Sequence, residues 1–334
     1  MADIIFSKSS GLNDSIYGKA YAPIKMVIEK RAEAFEQESI LPKIYNMEKS
    51  ENFGETITSM SSMSGLNPVV EGGAYPTDGF QESDSKFLEH VTWKDRFTIT
   101  REMVEDSKIL NLKQQPTAFT AAAYRTKEMY GSALLTGGTA AKINFRGTDF
   151  DTTTADGLSL FNTAHKSAKV AGSKAQSNLF SDAFSDEILA YAETAMQNFK
   201  DDNGNPLGVA PDTIIIPNDA VLKKTVFAAI GADKDPNTAN NGFNFQYGRW
   251  TVIVNPYWVP AKGSATPYII MSSTYNTENV GAVWYDRVPL TITADEDKDN
   301  DNMIWRGRAR FVAGFNDWRA FAMGGASGGT SLKA

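Results

Sequence analysis

Two histidines, His90 and His165, are the only imidazoles in the 334-residue chain. They are too far apart in sequence to announce a shared metal or acid/base site. The acidic run DEDKDND at 295–301 places Asp295, Asp297 and Asp299 at alternate positions, like the first half of a calcium loop. Its sixth position is Asn300 rather than glycine and its twelfth is Arg306 rather than glutamate, so it reads as a solvated turn. The run DDNGNP at 201–206 is rich in oxygen ligands, but Asn203-Gly204 followed by Pro206 is first a turn signal. GGASGG near the end has no strand before it and no helix after it, which does not support a phosphate cradle. The chain has no cysteine, and this excludes disulfide scaffolds, thiolate metal sites and cysteine nucleophiles. No catalytic, cofactor-binding or metal-ligating residue is assigned, and no cofactor is expected.

What remains is a strip of arginines. Arg306, Arg308 and Arg310 share one face of a strand, with Trp305, Ala309 and Phe311 on the other. Their side chains stand about 7 Å apart along the strand. Such a row can pair with carboxylates of an adjacent subunit or with phosphates, or it can be a solvated face balanced by the acidic turn beside it. A net charge of −7 favours pairing between subunits, then the solvated face, then nucleic acid.

Elements that could position this strip begin with a long excursion over 53–138. In Phe87 to Thr100, Val91, Trp93, Phe97 and Ile99 alternate with His90, Thr92, Lys94, Arg96 and Thr98, and only Asp95 interrupts the apolar face. The expected partner strand, Phe53 to Met63, carries mostly Thr, Ser and Glu, so a hairpin of the two would leave Trp93 and Phe97 uncovered. Between them Gly65, Pro68, Gly72, Gly73, Pro76 and Gly79 prevent regular pairing. Such an arm, about 40 Å long at about 3.3 Å per residue, reaches a neighbouring subunit. The alternative is a surface hairpin folded back on its own domain.

Upstream, Ile24, Val27, Ile28, Ala32, Phe35 and Ile40 have helical spacing until Pro42 breaks the run; that helix could pack on its own subunit or on another. Downstream, Pro116 is expected to open a helix with Phe119, Ala122, Ala123, Thr126, Tyr130, Ala133 and Leu134 on one face, ended by Gly137 and Gly138. Residues 137–185 read as a loop-rich insertion containing strands. Helical and strand patterns then alternate from Asp186 to Met271, giving a compact α/β layer. Met303 to Met323 returns to long strands, and GGASGGTSLKA reads as a flexible tail. A chain of this length can bury roughly three quarters of its unfolded surface. No apolar run is long enough to cross a membrane, and MADIIFSKSS lacks the pattern of a secretion signal, so a soluble, non-exported protein is expected.

This order of parts resembles the major capsid proteins of tailed bacteriophages, with the Hong-Kong-97-like fold. FTITREMVEDS at 97–107 is similar to the family's join between the second strand of the E-loop and the peripheral domain. DGLSLFNTAH at 156–165, followed by Asn178, resembles a stretch of Mu-like major head subunits. PDTIIIPNDA at 211–220 and WTVIVNPYW at 250–258 resemble axial-domain strands, and RGRARFVAGFNDWRAF at 306–321 the closing peripheral strands. The resemblance runs from about residue 20 to 323.

It implies an α+β fold with an N-terminal arm (1–50), an E-loop (51–98), a peripheral domain with a long spine helix (99–185), an axial α/β domain (186–295), returning peripheral strands (296–324) and the tail (325–334). The implied function is that of a non-enzymatic subunit assembling through hexamers and pentamers into an icosahedral shell around packaged double-stranded DNA, which it encloses without binding specifically. In that reading the E-loop lies over an adjacent subunit, burying Trp93 and Phe97, axial loops including 231–242 surround the capsomer axis, and the arginine strip contacts neighbours. Scaffolding, portal and decoration proteins are the implied partners, and a virion built in the host bacterial cytoplasm is the implied location. Little chain precedes the arm, so a separate scaffold or an already processed form is expected. Some relatives join a lysine to an asparagine with help from a glutamate. Lys86 and Lys94 lie in the corresponding region, but no matching asparagine and glutamate accompany them, so crosslinking is not expected. The alternatives are an encapsulin-like nanocompartment shell protein and a soluble hydrolase; the latter has no support in local spacing.

Overall fold

The structure is a computed structural model, which describes residues 5–8, 18–60, 66, 68–75, 77, 82–105, 109–166, 174–201, 204–231, 243–260, 266–297, 299 and 302–333. In chain order the elements are β1 (Ile5–Lys8), α1 (Gly18–Glu38), α2 (Leu41–Ile44), β2 (Asn46–Lys49), β3 (Gly54–Met60), β4 (Glu82–Glu89), β5 (Val91–Ile99), α3 (Arg101–Glu105) and α4 (Ile109–Thr136). They continue with β6 (Lys142–Phe145), β7 (Thr148–Asp151), α5 (Asp186–Gln197), β8 (Thr213–Pro217), α6 (Ala220–Gly231), β9 (Thr251–Asn255), β10 (Tyr268–Met271) and α7 (Ser273–Glu278). The last are β11 (Ala282–Asp297), β12 (Asn302–Phe315) and β13 (Phe321–Gly324). The chain divides into two compact units, one of residues 1–55, 88–131 and 284–313, the other of 56–87, 132–283 and 314–334.

The first unit is built on a sheet of order β1-β11-β12-β5, with β2 also on β11. β5 pairs antiparallel with β12 from Met303↔Ile99 to Phe311↔Val91. Ile28, Ile99, Phe119, Ile292, Ala294, Met303 and Trp305 form its core. The close approach of α4 to the sheet depends on Gly307, where a Cβ would run into the Phe119 ring. A second tight point is Gly131, whose carbonyl accepts a 2.7 Å bond from the Tyr45 hydroxyl. Helix α1 packs within its own chain: Ile28 and Ala32 are fully buried and Phe35 stacks on Tyr124 with ring centroids 5.8 Å apart.

In the second unit β10 lies antiparallel to both β13 and β8, and β8 is parallel to β9. That parallel pair requires a crossover, which α6 supplies. All five residues of β8 are buried, as its unbroken apolar run demands. The Ser185 hydroxyl caps α5 by accepting from Ile188 N–H at 3.1 Å, and Asp186 and Glu187 follow in the first turn, where the helix dipole favours acid. In the β6–β7 hairpin, Arg146 and Gly147 both take positive φ, as a tight two-residue turn requires.

Four expectations are corrected. The strand expected over Phe87 to Thr100 breaks at His90: β4 pairs with β3, whereas β5 leaves the hairpin to pair with β12. The helix expected to open at Pro116 begins at Ile109 and takes the proline into its interior. The closing strands part company, since β13 joins β10 in the four-stranded sheet. The tail is held rather than free: Thr330 N–H donates to Leu179 O at 2.9 Å, Leu332 N–H to Asp182 Oδ2 at 2.7 Å, and Lys333 Nζ meets Glu187 Oε2 at 2.6 Å. The turn expected at 231–242 lies, beyond Gly231, outside the described residues, as do 61–65, Asn67, Pro76 and 78–81 in the glycine-rich excursion.

Candidate assembly surface and buried polar sites

Strand alternation explains the arginine strip. Along β12 the core side takes Met303, Trp305, Ala309 and Phe311, and the exposed side takes Arg306 and Arg308, with Arg310 half-buried. The antiparallel register places Arg306 directly opposite Arg96 and Arg308 directly opposite Lys94. Facing residues in such a pair lie about 5 Å apart, and like charges there repel. Arg306 pairs with Asp295 at 3.4 Å, with its side chain 55% exposed. Lys94, Arg96 and Arg308 have no ion pair among the described residues. Lys94 and Arg96 belong to this surface through the pairing of β5 with β12. Alternation places both on the polar face of β5, and what brings them beside the arginines is β12 as the neighbouring strand in place of the hairpin partner expected at 53–63.

Next to this row, His90 Nε2 lies 2.8 Å from Ser50 Oγ. Burial, followed by the positive field of Arg287 and Arg310, pushes its imidazole below the ordinary value against the opposing charges of Glu55 and Asp286.

Trp93 and Phe97 do not wait for a neighbour. Trp93 stacks on Phe311 at 5.1 Å and meets Tyr130 at 5.4 Å, while Phe97 stacks on Trp305 at 5.9 Å and meets Phe119 at 5.0 Å. The expectation that cover must come from an adjacent subunit is therefore corrected, because β5 sits on β12 and under α4 instead of in the hairpin.

The second histidine lies in the second unit. His165 is fully buried, its Nδ1 2.6 Å from Asp156 Oδ2, its ring stacked on Trp318 at 4.4 Å. Burial pushes the Asp156 carboxyl up, but His165, Thr154 and the Leu158 N–H together hold it below the ordinary carboxylate range. Nearby, the Asn178 amide donates to Leu160 O at 2.8 Å and Phe321 O at 3.0 Å and accepts from Asn162 N–H at 2.9 Å. This network ties DGLSLFNTAH to the chain's closing strand. With no exposed atom, His165 has no access to a substrate, so the pair is read as structural.

Lys86 is also buried, pairing with Asp151 at 3.3 Å and donating to the Thr153 carbonyl. Burial lowers its pKa, only partly offset by Asp151. Among the described residues no cluster of acidic and imidazole side chains could hold a metal ion, and no helix is long and apolar enough to cross a membrane.

A family model described as phage capsid protein matches residues 84–324. Curated proteins give no match. Among solved structures, the chain is similar to Mycobacterium phage Patience, with 11% identity, 99% of this chain and 95% of that chain covered, and a TM-score of 0.50. It is similar also to the holo-SrpI encapsulin complex of Synechococcus elongatus PCC 7942, with 10% identity, 88% of each chain covered and a TM-score of 0.51. At such identities the structural likeness concerns the fold, which is of the Hong-Kong-97-like kind. The family match spans the β4–β5 region, the long helix, the four-stranded sheet, strands β5, β11 and β12 of the other sheet and the arginine strip, and on that ground the chain belongs to the phage capsid protein family.

Proposed function

We propose that this major capsid subunit assembles through hexamers and pentamers into an icosahedral phage head enclosing packaged double-stranded DNA. The family match over 84–324 carries this reading. The encapsulin likeness is one of fold, and the family match decides between the two kinds of shell. Scaffolding, portal and decoration proteins are the partners such a shell needs, and the host cytoplasm is where it would be built. In this reading β3, β4 and the tip between them form the E-loop, α4 the spine helix, and the β8–β10 region the axial domain.

Local features support self-association. The excursion shows Leu66, Val69, Val70 and Tyr75 to solvent, with Leu66 and Tyr75 essentially uncovered. In the second unit, Phe243, Phe245 and Tyr247 are also exposed, as are Val221 and Phe227 on α6. Apolar surface of this extent calls for a protein partner. Of the five residues singled out as contacts, Arg306, Arg308 and Arg310 are proposed as the charged contact row, and Trp93 and Phe97 as the packed support behind it.

Size-exclusion light scattering of the purified chain over a wide concentration range tests the reading. Capsomer-sized or larger species are expected, and a compact monomer at every concentration, with or without co-expressed neighbouring genes, would refute it.

A further inference from the structure

Segment 50–53 carries the chain out of β2 towards β3, and its Glu51, Asn52 and Phe53 are exposed. Ser50 is its buried residue. The Ser50 N–H donates to Asp286 O at 3.1 Å, and Phe53 O accepts from His90 N–H at 3.4 Å. The third hold is a relay of side chains. Ser50 Oγ donates to Glu55 Oε1 at 2.6 Å, and the Asn52 amide donates to the same oxygen at 3.0 Å. Those two bonds, Ser50 first, keep the Glu55 carboxyl below its ordinary value, so it is ionised and only accepts. A hydroxyl has one proton to give, so Ser50 Oγ accepts from His90, and Nε2 carries the imidazole proton.

The relay thereby fixes the tautomer. Nδ1 of the neutral ring bears a lone pair, and it is buried without a partner among the described residues. His90 itself is the single residue between β4 and β5 and only 4% exposed. The charges around it are unequal. Arg287 on β11 and Arg310 on β12 oppose a positive ring, while Glu55 and Asp286 favour one. Both carboxylates are already engaged, Glu55 by Ser50 and Asn52, and Asp286 by Lys127 at 3.0 Å. Arg310 Nε, by contrast, is buried without a partner among the described residues. A second proton on the ring would meet no acceptor and two like charges.

We propose that the His90–Ser50 contact is an acid-released clasp: a proton taken at Nδ1 turns the His90 ring out to water and frees segment 50–53 from the sheet of the first unit. Nε2 leaves with the ring, so the Ser50 hydroxyl loses its donor and the segment keeps only the Ser50–Asp286 and His90–Phe53 backbone bonds. Because the seated ring disfavours the proton, the clasp holds fully above the ordinary value of 6.5. It loosens as pH falls below that value and levels off beneath the depressed one. No second copy takes part, so the device stands apart from the shell reading.

Hydrogen exchange of the full chain at low concentration tests this between about pH 7.5 and about pH 5, above the range in which Glu55 takes a proton. After correction for intrinsic exchange, protection of the Ser50 and His90 amides should fall roughly threefold or more towards acid, while that of β8 stays constant. His90→Gln keeps a donor for Ser50 that binds no proton, and should make protection flat across the range. Arg310→Gln removes one opposing charge and should shrink the fall. With two imidazoles in the chain, NMR of wild type and of His90→Gln assigns the His90 ring. Its midpoint should lie below 6.5 and rise in Arg310→Gln. Equal protection at both ends of the range, or a ring titrating at or above 6.5, would overturn the proposal. So would an undiminished response in His90→Gln, which would assign it to another group. If His90→Gln does not fold, the wild-type titration and Arg310→Gln decide between the same outcomes.

Discussion

Trp93 lies nearly parallel to Phe311, their ring centroids 5.1 Å apart and their planes 8° from each other, and both rings belong to one chain. The contact follows from the pairing of β5 with β12, and it makes Trp93 a stability residue of the isolated subunit. Trp93→Ala should cost about 2–4 kcal/mol, read from urea unfolding of unassembled protein. Unchanged monomer stability with lost assembly would place the ring's partners on another chain.

Gly307 permits the seat of Phe119 on the sheet, since a Cβ there would lie 3.0 Å from Phe119 Cε1 and closer still to Cζ. Gly307→Ala should therefore destabilise the first unit by about 1–3 kcal/mol, through displacement of α4 from β12. Thermal unfolding compared with Gly147→Ala, whose Cβ would meet nothing but whose φ of 83° is unfavourable for alanine, separates overpacking from backbone strain.

Asp156 offers a pH test. Because His165, Thr154 and Leu158 hold its carboxyl below the ordinary 3.8, the folded state favours the ionised form. The stabilisation is complete above the ordinary value and is lost as pH falls through the depressed one. Asp156→Asn should cost about 1–3 kcal/mol at neutral pH, with the gap to wild type closing below about pH 4. A gap independent of pH from 7 down to 2 would show that the charge of Asp156 is not what stabilises the network.

Lys86 is the opposite case in charge, since here the fold disfavours the ionised form. Burial lowers its pKa below 10.5, so the unfolded chain holds the proton more tightly, and stability rises as pH climbs from the depressed value towards 10.5. Lys86→Met should remove that rise and leave neutral-pH stability unchanged within about 1 kcal/mol or improved, since Asp151 is half exposed and remains hydrated. A loss of several kcal/mol at pH 7 would mean that the pair with Asp151 outweighs the desolvation of the amine.

Periodicity made much of this fold legible. The buried run at Thr213–Pro217, the alternation around Arg306 and the apolar stripe of α1 each appear where their spacing places them. What alternation could not reveal was pairing. The apolar face of 91–99 was plain, but nothing local distinguishes a hairpin partner at 54–60 from a strand two hundred residues away, and the strip's opposition to Lys94 and Arg96 depends on that distant choice. Pro116 misled for a related reason: a proline marks a permissible helix start, yet α4 extends a further turn and more upstream and carries it inside. The Asp156–His165 pair was hidden because its members, nine residues apart, are brought together by loop structure without regular spacing.

A subunit of this kind builds a closed shell, and electron microscopy of the assembled protein would show that shell. The chain, purified at high concentration and after co-expression with its neighbouring genes, should give closed particles with five- and six-fold capsomers. A monodisperse monomer in every such preparation, with no rings and no shells, would rule out the shell.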